Sequence, residues 1–220
     1  MDSALQGQTV TAPAPIPAPI ADLSFPHRWQ AEILPARPLI LPARHFVYPR
    51  QAEEVERGAL ELLIRPVAVA ADESSPEPPL RAQSSPSAKE FLATCALGFL
   101  DRAVPTGLWS TPNPEEICAV SGGYAYLIDT TAPERFTMLA YRPVLEVRPL
   151  HAQGLLLFVS HRSILAWGRD GQAWQAENLS SEGVAIASIE GSVLHGLGWD
   201  LVTAKEVPFV LDLRTGLRLS

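Results

Sequence analysis

Residues Gly154–Gly171, GLLLFVSHRSILAWGRDG, decide the fold class. Leu155 to Val159 is a short apolar run, Ser160 to Arg162 is a polar break, and Ile164 to Trp167 is a second apolar run that stops at Gly168. Runs this short, bounded by turn residues, have the length of strands and not of helices. Arg169-Asp170-Gly171 then reverses the chain, because Asp-Gly tolerates the positive φ angles of tight hairpin turns. The same grammar continues to Gly216, in a region that carries three of the five tryptophans. Trp174 closes a short strand. Val184 to Ile189 alternates, with Val184, Ile186 and Ser188 on one face and Ala185, Ala187 and Ile189 on the other. Glu190-Gly191 turns the chain, and Ser192 to Trp199 returns with Gly196 and Gly198 marking a bend, a bulge or a close backbone approach. Val207 to Leu213 is the last strand, and Pro208, which has no amide donor, places it at a sheet edge or at the strand's start.

Toward the N-terminus the pattern repeats. Ile117–Ser121, Gly122-Gly123 and Tyr124–Asp129 form a hairpin, followed by strands over Phe136–Tyr141 and Val144–Val147. Ala59–Val67 fits helical and strand spacing alike; Phe91–Phe99 offers it an antiparallel partner, which favours the strand. Leu100–Glu116 holds Pro105, Gly107, Pro112 and Pro114 and reads as a long irregular connection containing Trp109. Phe46–Tyr48 is a strand fragment, Ile33–Leu41 is an edge segment broken by Pro35 and Pro38, and Pro49 before acidic Gln51–Glu56 predicts a short helix ending near Gly58. The expected fold is all-β, or predominantly β with one short helix: an antiparallel meander in a barrel-like or propeller-like arrangement. Val120-Ser121 with Tyr124–Ile128 resembles Val159-Ser160 with Ser163–Trp167 at an offset of 39 residues. That offset lies near the roughly 40–45 residues of a propeller blade, with room for about three blades.

Proline sets the domain limits. There are 21 prolines in 220 residues, and many fall in two stretches that cannot bury enough apolar surface to offset the entropy of ordering. Residues 1–28 are expected to be a disordered proline-rich arm. Residues 29–220 are expected to be a single β-rich domain, interrupted by a disordered Pro/Ser-rich insertion at about 69–88. The hydrophobic fraction of 47% suffices for a sizeable core.

Composition also narrows the partners. The net charge is −7 with acidic and basic residues interspersed, so no clustered basic face points to nucleic acid. No apolar run approaches the roughly 18 residues of a membrane span, and no secretory leader is evident, so a soluble cytoplasmic protein with no membrane partner is expected. Cys95 and Cys118 match no metal or redox spacing; each reads as a buried thiol, or the two as a bridge between neighbouring strands.

Motifs that announce chemistry are lacking: there is no H-E-x-x-H, phosphate loop, G-x-S-x-G elbow or complete dinucleotide fingerprint. No cofactor is expected and no metal site is assigned. A hydrolytic or metal-dependent site would have to be assembled by the fold from His151, His161 or His195 with Asp129, Asp200 or Asp212 and Ser121 or Ser160. The three aspartates sit at strand ends, where turn hydrogen bonding is their first use. Aromatic residues carry the other hypothesis. Trp109, Tyr124, Tyr126, Trp167 and Trp199, together with Trp174, are the candidate surface for a small molecule or a protein partner, with Tyr124 and Tyr126 on one strand face. The leading expectation is therefore a β-rich interaction or small-ligand-binding module without its own catalysis. A small hydrolase or metal-dependent enzyme, and a structural subunit that pairs as a homodimer through strand edges, are the alternatives.

Pro105-Thr106-Gly107-Leu108-Trp109, Pro112-Asn113-Pro114, Ala119–Thr130, Gly196–Asp200, Val207-Pro208-Phe209 and Asp212–Gly216 together resemble an uncharacterised bacterial protein family. The resemblance spans roughly Tyr48 to Gly216 outside the insertion. It implies a shared domain, with the halves on either side of the insertion forming one unit, and it implies no activity.

Overall fold

The computed structural model describes residues 18–50, 57–67 and 90–219. The proline-rich stretch up to residue 17, the helix expected after Pro49 and the insertion at about 69–88 lie outside the described residues. Among the described residues, sixteen strands form four sheets. The first contains β2 (Trp29–Leu34), β3 (His45–Tyr48), β4 (Ala59–Pro66) and β5 (Phe91–Ala96), in the order β2-β4-β5-β3. The second is β1-β6-β7-β8-β9, from β1 (Ile20–Asp22), β6 (Gly107–Ser110), β7 (Glu116–Ser121), β8 (Tyr124–Asp129) and β9 (Phe136–Met138). The third is the meander β10 (Glu146–Leu150), β11 (Leu155–Val159), β12 (Ile164–Gly168) and β13 (Gly171–Ala176). The fourth is β14 (Val184–Glu190), β15 (Val193–Asp200) and β16 (Lys205–Asp212). A 3-10 turn at His151–Gln153 joins β10 to β11.

Period-2 alternation explains how the sheets stack. In β7, Ile117 and Ala119 join one core cluster with Leu62, Ile64 and Phe91 of the first sheet, whereas Cys118 and Val120 join another with Leu156 and Phe158 of the third. In β11, Leu156 and Phe158 face the second sheet, while Leu155, Leu157 and Val159 face Leu194, Phe209 and Leu211 of the fourth. The two middle sheets are thus covered on both faces, which is why their central strands are apolar nearly throughout. The result is a propeller-like stack of consecutive sheets, predominantly antiparallel. The repeat at 39 residues falls on equivalent hairpins, β7–β8 of the second sheet and β11–β12 of the third.

Several expectations are corrected. The stack has four sheets, not about three. The meander is not wholly antiparallel, since β1 pairs parallel with β6 and β3 with β5. Order begins before residue 28: Ile20–Asp22 adds a strand to β6, and Phe25 is buried with its N–H donating to Ser110 Oγ at 2.8 Å. The segment Leu100–Glu116 is not irregular throughout, because Gly107–Ser110 is an inner strand between β1 and β7. A glycine is needed at its start: a Cβ on Gly107 would lie 2.2 Å from the Ile20 carbonyl oxygen.

The ambiguous run is strand β4, paired antiparallel with β5. Pro208 lies on edge strand β16. In β14 the simple alternation fails. The register shifts between Ile186 and Ser188, leaving Ala187 as the extra residue of a bulge. The bulge resets the phase, so Val184, Ile186 and Ile189 all pack on the same core. Gly196 and Gly198 serve close approach instead: added Cβ atoms would meet the Phe209 ring at 2.2 Å and the Leu179 carbonyl oxygen at 2.1 Å.

Candidate functional site

The aromatic residues do not converge on one face. Trp109 and Trp167 meet in the core between the second and third sheets. Tyr124 and Tyr126 lie on the same side of β8, as expected, but that side packs against the first sheet. Tyr126 donates its hydroxyl to Ala96 O at 2.9 Å, and Tyr124 sits under the Arg142 guanidinium at 4.9 Å. Trp174, in the next core, donates its indole N–H to Leu213 O at 2.6 Å. Only Trp199 of the five candidates belongs to the exposed large hydrophobics, at 36%. Four of the five therefore fill or border interfaces between sheets, where large side chains with one satisfied polar atom suit a small β core.

Neither do the histidines assemble a hydrolytic centre. His151 is exposed in the 3-10 turn with its ring 4.6 Å from that of Phe25. His161 is exposed in the β11–β12 turn, and His195 is half-buried on β15. Each aspartate proposed as their partner is committed to its own turn: Asp129 Oδ1 accepts the N–H groups of Thr131 and Ala132, Asp200 Oδ1 that of Val202, and Asp212 Oδ1 that of Arg214. Against the opposing pull of its partial burial, the Thr131 hydroxyl first, then these N–H bonds and the Arg135 guanidinium, hold the Asp129 carboxyl below the usual range. Among the described residues no three His, Cys, Asp or Glu side chains gather as a metal site would require. No described helix is long and apolar enough to cross a membrane. Cys95 and Cys118 are free and buried on opposite sides of the second sheet's inner core, and burial pushes both thiols up.

Two polar centres were missed by the sequence reading. The first is Glu116, at the start of β7. Its Oε1 accepts the Trp167 indole N–H at 2.8 Å, and its backbone carbonyl accepts that of Trp29 at 3.2 Å. It therefore ties the first three sheets together. Burial pushes its carboxyl up to about 6, outweighing the donors that oppose the rise. The second centre lies on the outer face of the first sheet. Glu61 and Thr94 alternate with Leu60, Leu62, Ala93 and Cys95, which point to the core, so both face away from the second sheet. Thr94 donates its hydroxyl to Glu61 Oε2 at 2.5 Å, and Arg37 Nε donates to Glu61 Oε1 at 2.9 Å. The single Thr94 proton is thereby used, so His45 Nε2, 2.9 Å from Thr94 Oγ1, is the donor to it. Burial, then the Arg37 charge, holds the His45 imidazole below its usual range against the opposing Glu61 charge.

This network clamps a loop. Arg37 fixes its start to Glu61, while at its end Arg44 lies over the Phe46 and Phe91 rings at 5.6 and 5.7 Å and accepts the Leu92 N–H on its carbonyl. Between these anchors, Pro38-Leu39-Ile40-Leu41-Pro42 projects outward. Leu39 is 104% exposed and Ile40 88%. The fourth sheet leaves a second apolar surface, because Val193, Leu197, Trp199 and Val210 point away from the core and belong to no hydrophobic cluster. A cleft of about 590 Å³ between the third and fourth sheets is lined by Leu155, Trp174, Leu213 and Arg214 among others. Of its polar side chains, Trp174 donates to Leu213 O, Gln153 to Gly191 O and Arg214 pairs with Asp212.

No family model matches the chain, and no curated protein matches it. Among solved structures it is similar to the N-terminal domain of Nup159, with a TM-score of 0.34 and 10% identity over 92% of this chain and 52% of that one. The chain thus spans about half the length of that domain.

Proposed function

We propose that the protein is a β-rich interaction module without catalysis of its own, which engages a protein partner through the loop tip Leu39-Ile40-Leu41. The observation that carries this reading is the combination of an exposed aliphatic tip with a base clamped by Arg37 and Arg44. Exposed apolar groups of this kind gain about 1.5–3 kcal/mol each when fully buried. A clamped base reduces the ordering entropy that binding would otherwise cost. The dispersal of His151, His161 and His195, and the commitment of Asp129, Asp200 and Asp212 to turns, weigh against the hydrolase alternative. Burial of Trp109, Tyr126 and Trp167 moves the contact surface away from the aromatic set and onto aliphatic residues.

The test is native mass spectrometry of the full chain isolated from its source cells, beside a variant carrying Leu39→Asp and Ile40→Asp. A stoichiometric protein partner retained by the parent and lost from the variant is the expected result. A partner held equally by both, or a small molecule held in place of a protein, would refute the assignment of the loop.

A further inference from the structure

The third and fourth sheets do not close over one end of their shared core. The cleft of about 590 Å³ there has Leu155, Trp174 and Leu213, three members of that core, as its floor. It stays open because its walls lack bulk. Ala152 of the 3-10 turn, Ala173 of β13, and Gly191 and Ser192 between β14 and β15 carry at most one heavy atom beyond Cβ. A Cβ on Gly191 would itself meet nothing within 4 Å. The floor is held in place from two sides. Gly216 brings the chain after β16 onto the Trp174 ring, where a Cβ would stand 2.6 Å from the indole, and the indole N–H is already given to Leu213 O. An apolar ligand can therefore cover this ring without leaving a polar atom unpaired. The walls are tied together as well, since Gln153 of the third sheet's 3-10 turn donates to Gly191 O of the fourth.

Unspent polar capacity lies at the rim. Arg214 is oriented by two bonds to one carboxylate, Nε to Asp212 Oδ1 and Nη2 to Asp212 Oδ2, each 3.2 Å, and these leave its Nη1 unused among the described residues. Ser192 accepts the Leu213 N–H on its carbonyl, while its hydroxyl bonds to nothing among the described residues. Both unused groups are donors. We propose that the cleft binds a small monocarboxylate with a flat apolar body, the body lying on Trp174 between Leu155 and Leu213 and the carboxylate meeting Arg214 Nη1 and the Ser192 hydroxyl. The volume falls within the roughly 300–1,000 Å³ of small-molecule sites, which are likewise apolar with a few polar groups that fix orientation. The rim sets the charge of the ligand. One guanidinium accommodates a second carboxylate beside Asp212, whereas a phosphate dianion would share a single cation with the Asp212 charge. The site is separate from the loop tip of the first sheet; it goes beyond the interaction reading and neither depends on the other.

The experiment is two-dimensional NMR of the isotopically labelled full chain, titrated into the millimolar range with cinnamate and, separately, with cinnamamide, which keeps the flat body and removes the charge. Cinnamate is expected to shift the Trp174 indole N–H and the Leu155 and Leu213 methyl resonances together. Cinnamamide should bind at the same residues about fivefold more weakly, the size of one solvent-exposed charge contact. Arg214→Gln removes that difference. Ala173→Ile, which fills one wall from an exposed position on edge strand β13, weakens both compounds. The spectrum of each variant reports its folding directly. Absence of shifts at Trp174, Leu155 and Leu213 with either compound, or shifts centred elsewhere, such as on Trp199, overturns the site. Equal affinity of the parent for acid and amide, or a preference for the acid that survives Arg214→Gln, overturns the assignment of a carboxylate to the rim. None of these variants touches Leu39-Ile40-Leu41, so the protein contact of the loop stands or falls on its own test.

Discussion

Replacing Glu116 by Gln should stabilise the protein at neutral pH and leave it unchanged in acid. The Glu116 carboxylate is buried beside the Trp167 indole, and its carboxyl stands at about 6 instead of the ordinary 4.5. That displacement corresponds to about 2 kcal/mol in favour of the neutral form. A carboxyl raised in the native state binds its proton more tightly there than in the unfolded chain, so its effect on stability falls as pH rises from 4.5 to about 6. Above that window the native state carries the full cost of a buried charge; below it, none. Gln keeps an acceptor oxygen for the Trp167 N–H and removes the charge. Urea unfolding followed by tryptophan fluorescence, run on parent and variant across this window, should show a gain of up to about 2 kcal/mol at neutral pH that vanishes toward pH 4.5. A gain that is independent of pH would refute the argument, as would a loss at neutral pH, which would mean that the charged hydrogen bond outweighs desolvation.

The Glu61 network makes the opposite prediction for Thr94. Thr94→Val preserves shape but removes the one hydroxyl joining His45 to Glu61, and should cost about 1–3 kcal/mol of unfolding free energy, read from a lowered urea midpoint. Cleavage by trypsin after Arg44 should accelerate with it if the network clamps the loop; an unchanged cleavage rate would separate the two. Glycine substitutions should divide by local space. Gly198→Ala drives a Cβ to 2.1 Å from the Leu179 carbonyl oxygen and requires backbone movement, a loss of about 1–3 kcal/mol or more. Gly154→Ala meets nothing within 4 Å and suffers only from its φ of +61°, for about 1–2 kcal/mol. Thermal unfolding of the two variants should rank them in that order.

The strands were legible wherever turn chemistry bracketed an apolar run. The β7–β8 hairpin, β11, β12 and the turn at Arg169-Asp170-Gly171 stand where the spacing puts them. The strand over Gly107–Ser110 was hidden because Pro105 and Pro112 flank four residues with little periodicity; its pairing partners, β1 and β7, are what make it a strand. Strand β1 was hidden for the same reason, since a three-residue strand after a proline-rich stretch has no pattern of its own and is defined by pairing with β6. Aromatic content was legible but its use was not: Trp and Tyr serve a sheet interface and an exposed site equally well, and only the stacking order decides. The Glu61–Thr94–His45 network joins residues from three strands and could not be read from spacing.

Stacking order is itself encoded by how many faces of each sheet are apolar. The central strands of the second and third sheets bury every residue of Ile117–Ser121 and Leu155–Val159, and this requires a neighbour on both sides. In β15 buried Leu194, Gly196 and Gly198 alternate with half-buried or exposed Val193, His195, Leu197 and Trp199, so one neighbour suffices within the chain. The bulge at Ala187 reinforces this asymmetry, because without it Ile189 would follow Ala185 and Ala187 to the outer face, whereas with it Ile189 joins Val184 and Ile186 in the core. The fourth sheet has thus been adjusted to put its bulkiest edge-strand side chains inward, and it still leaves Leu197, Trp199 and Val210 outside. The first sheet's outer face is likewise mixed, since Leu34, Leu63 and Leu92 stand in phase with Gln30, Glu32 and Glu61. Both end sheets therefore carry apolar side chains on their outer faces, and the one-sided burial of β15 marks the fourth sheet as the end of the stack among the described residues.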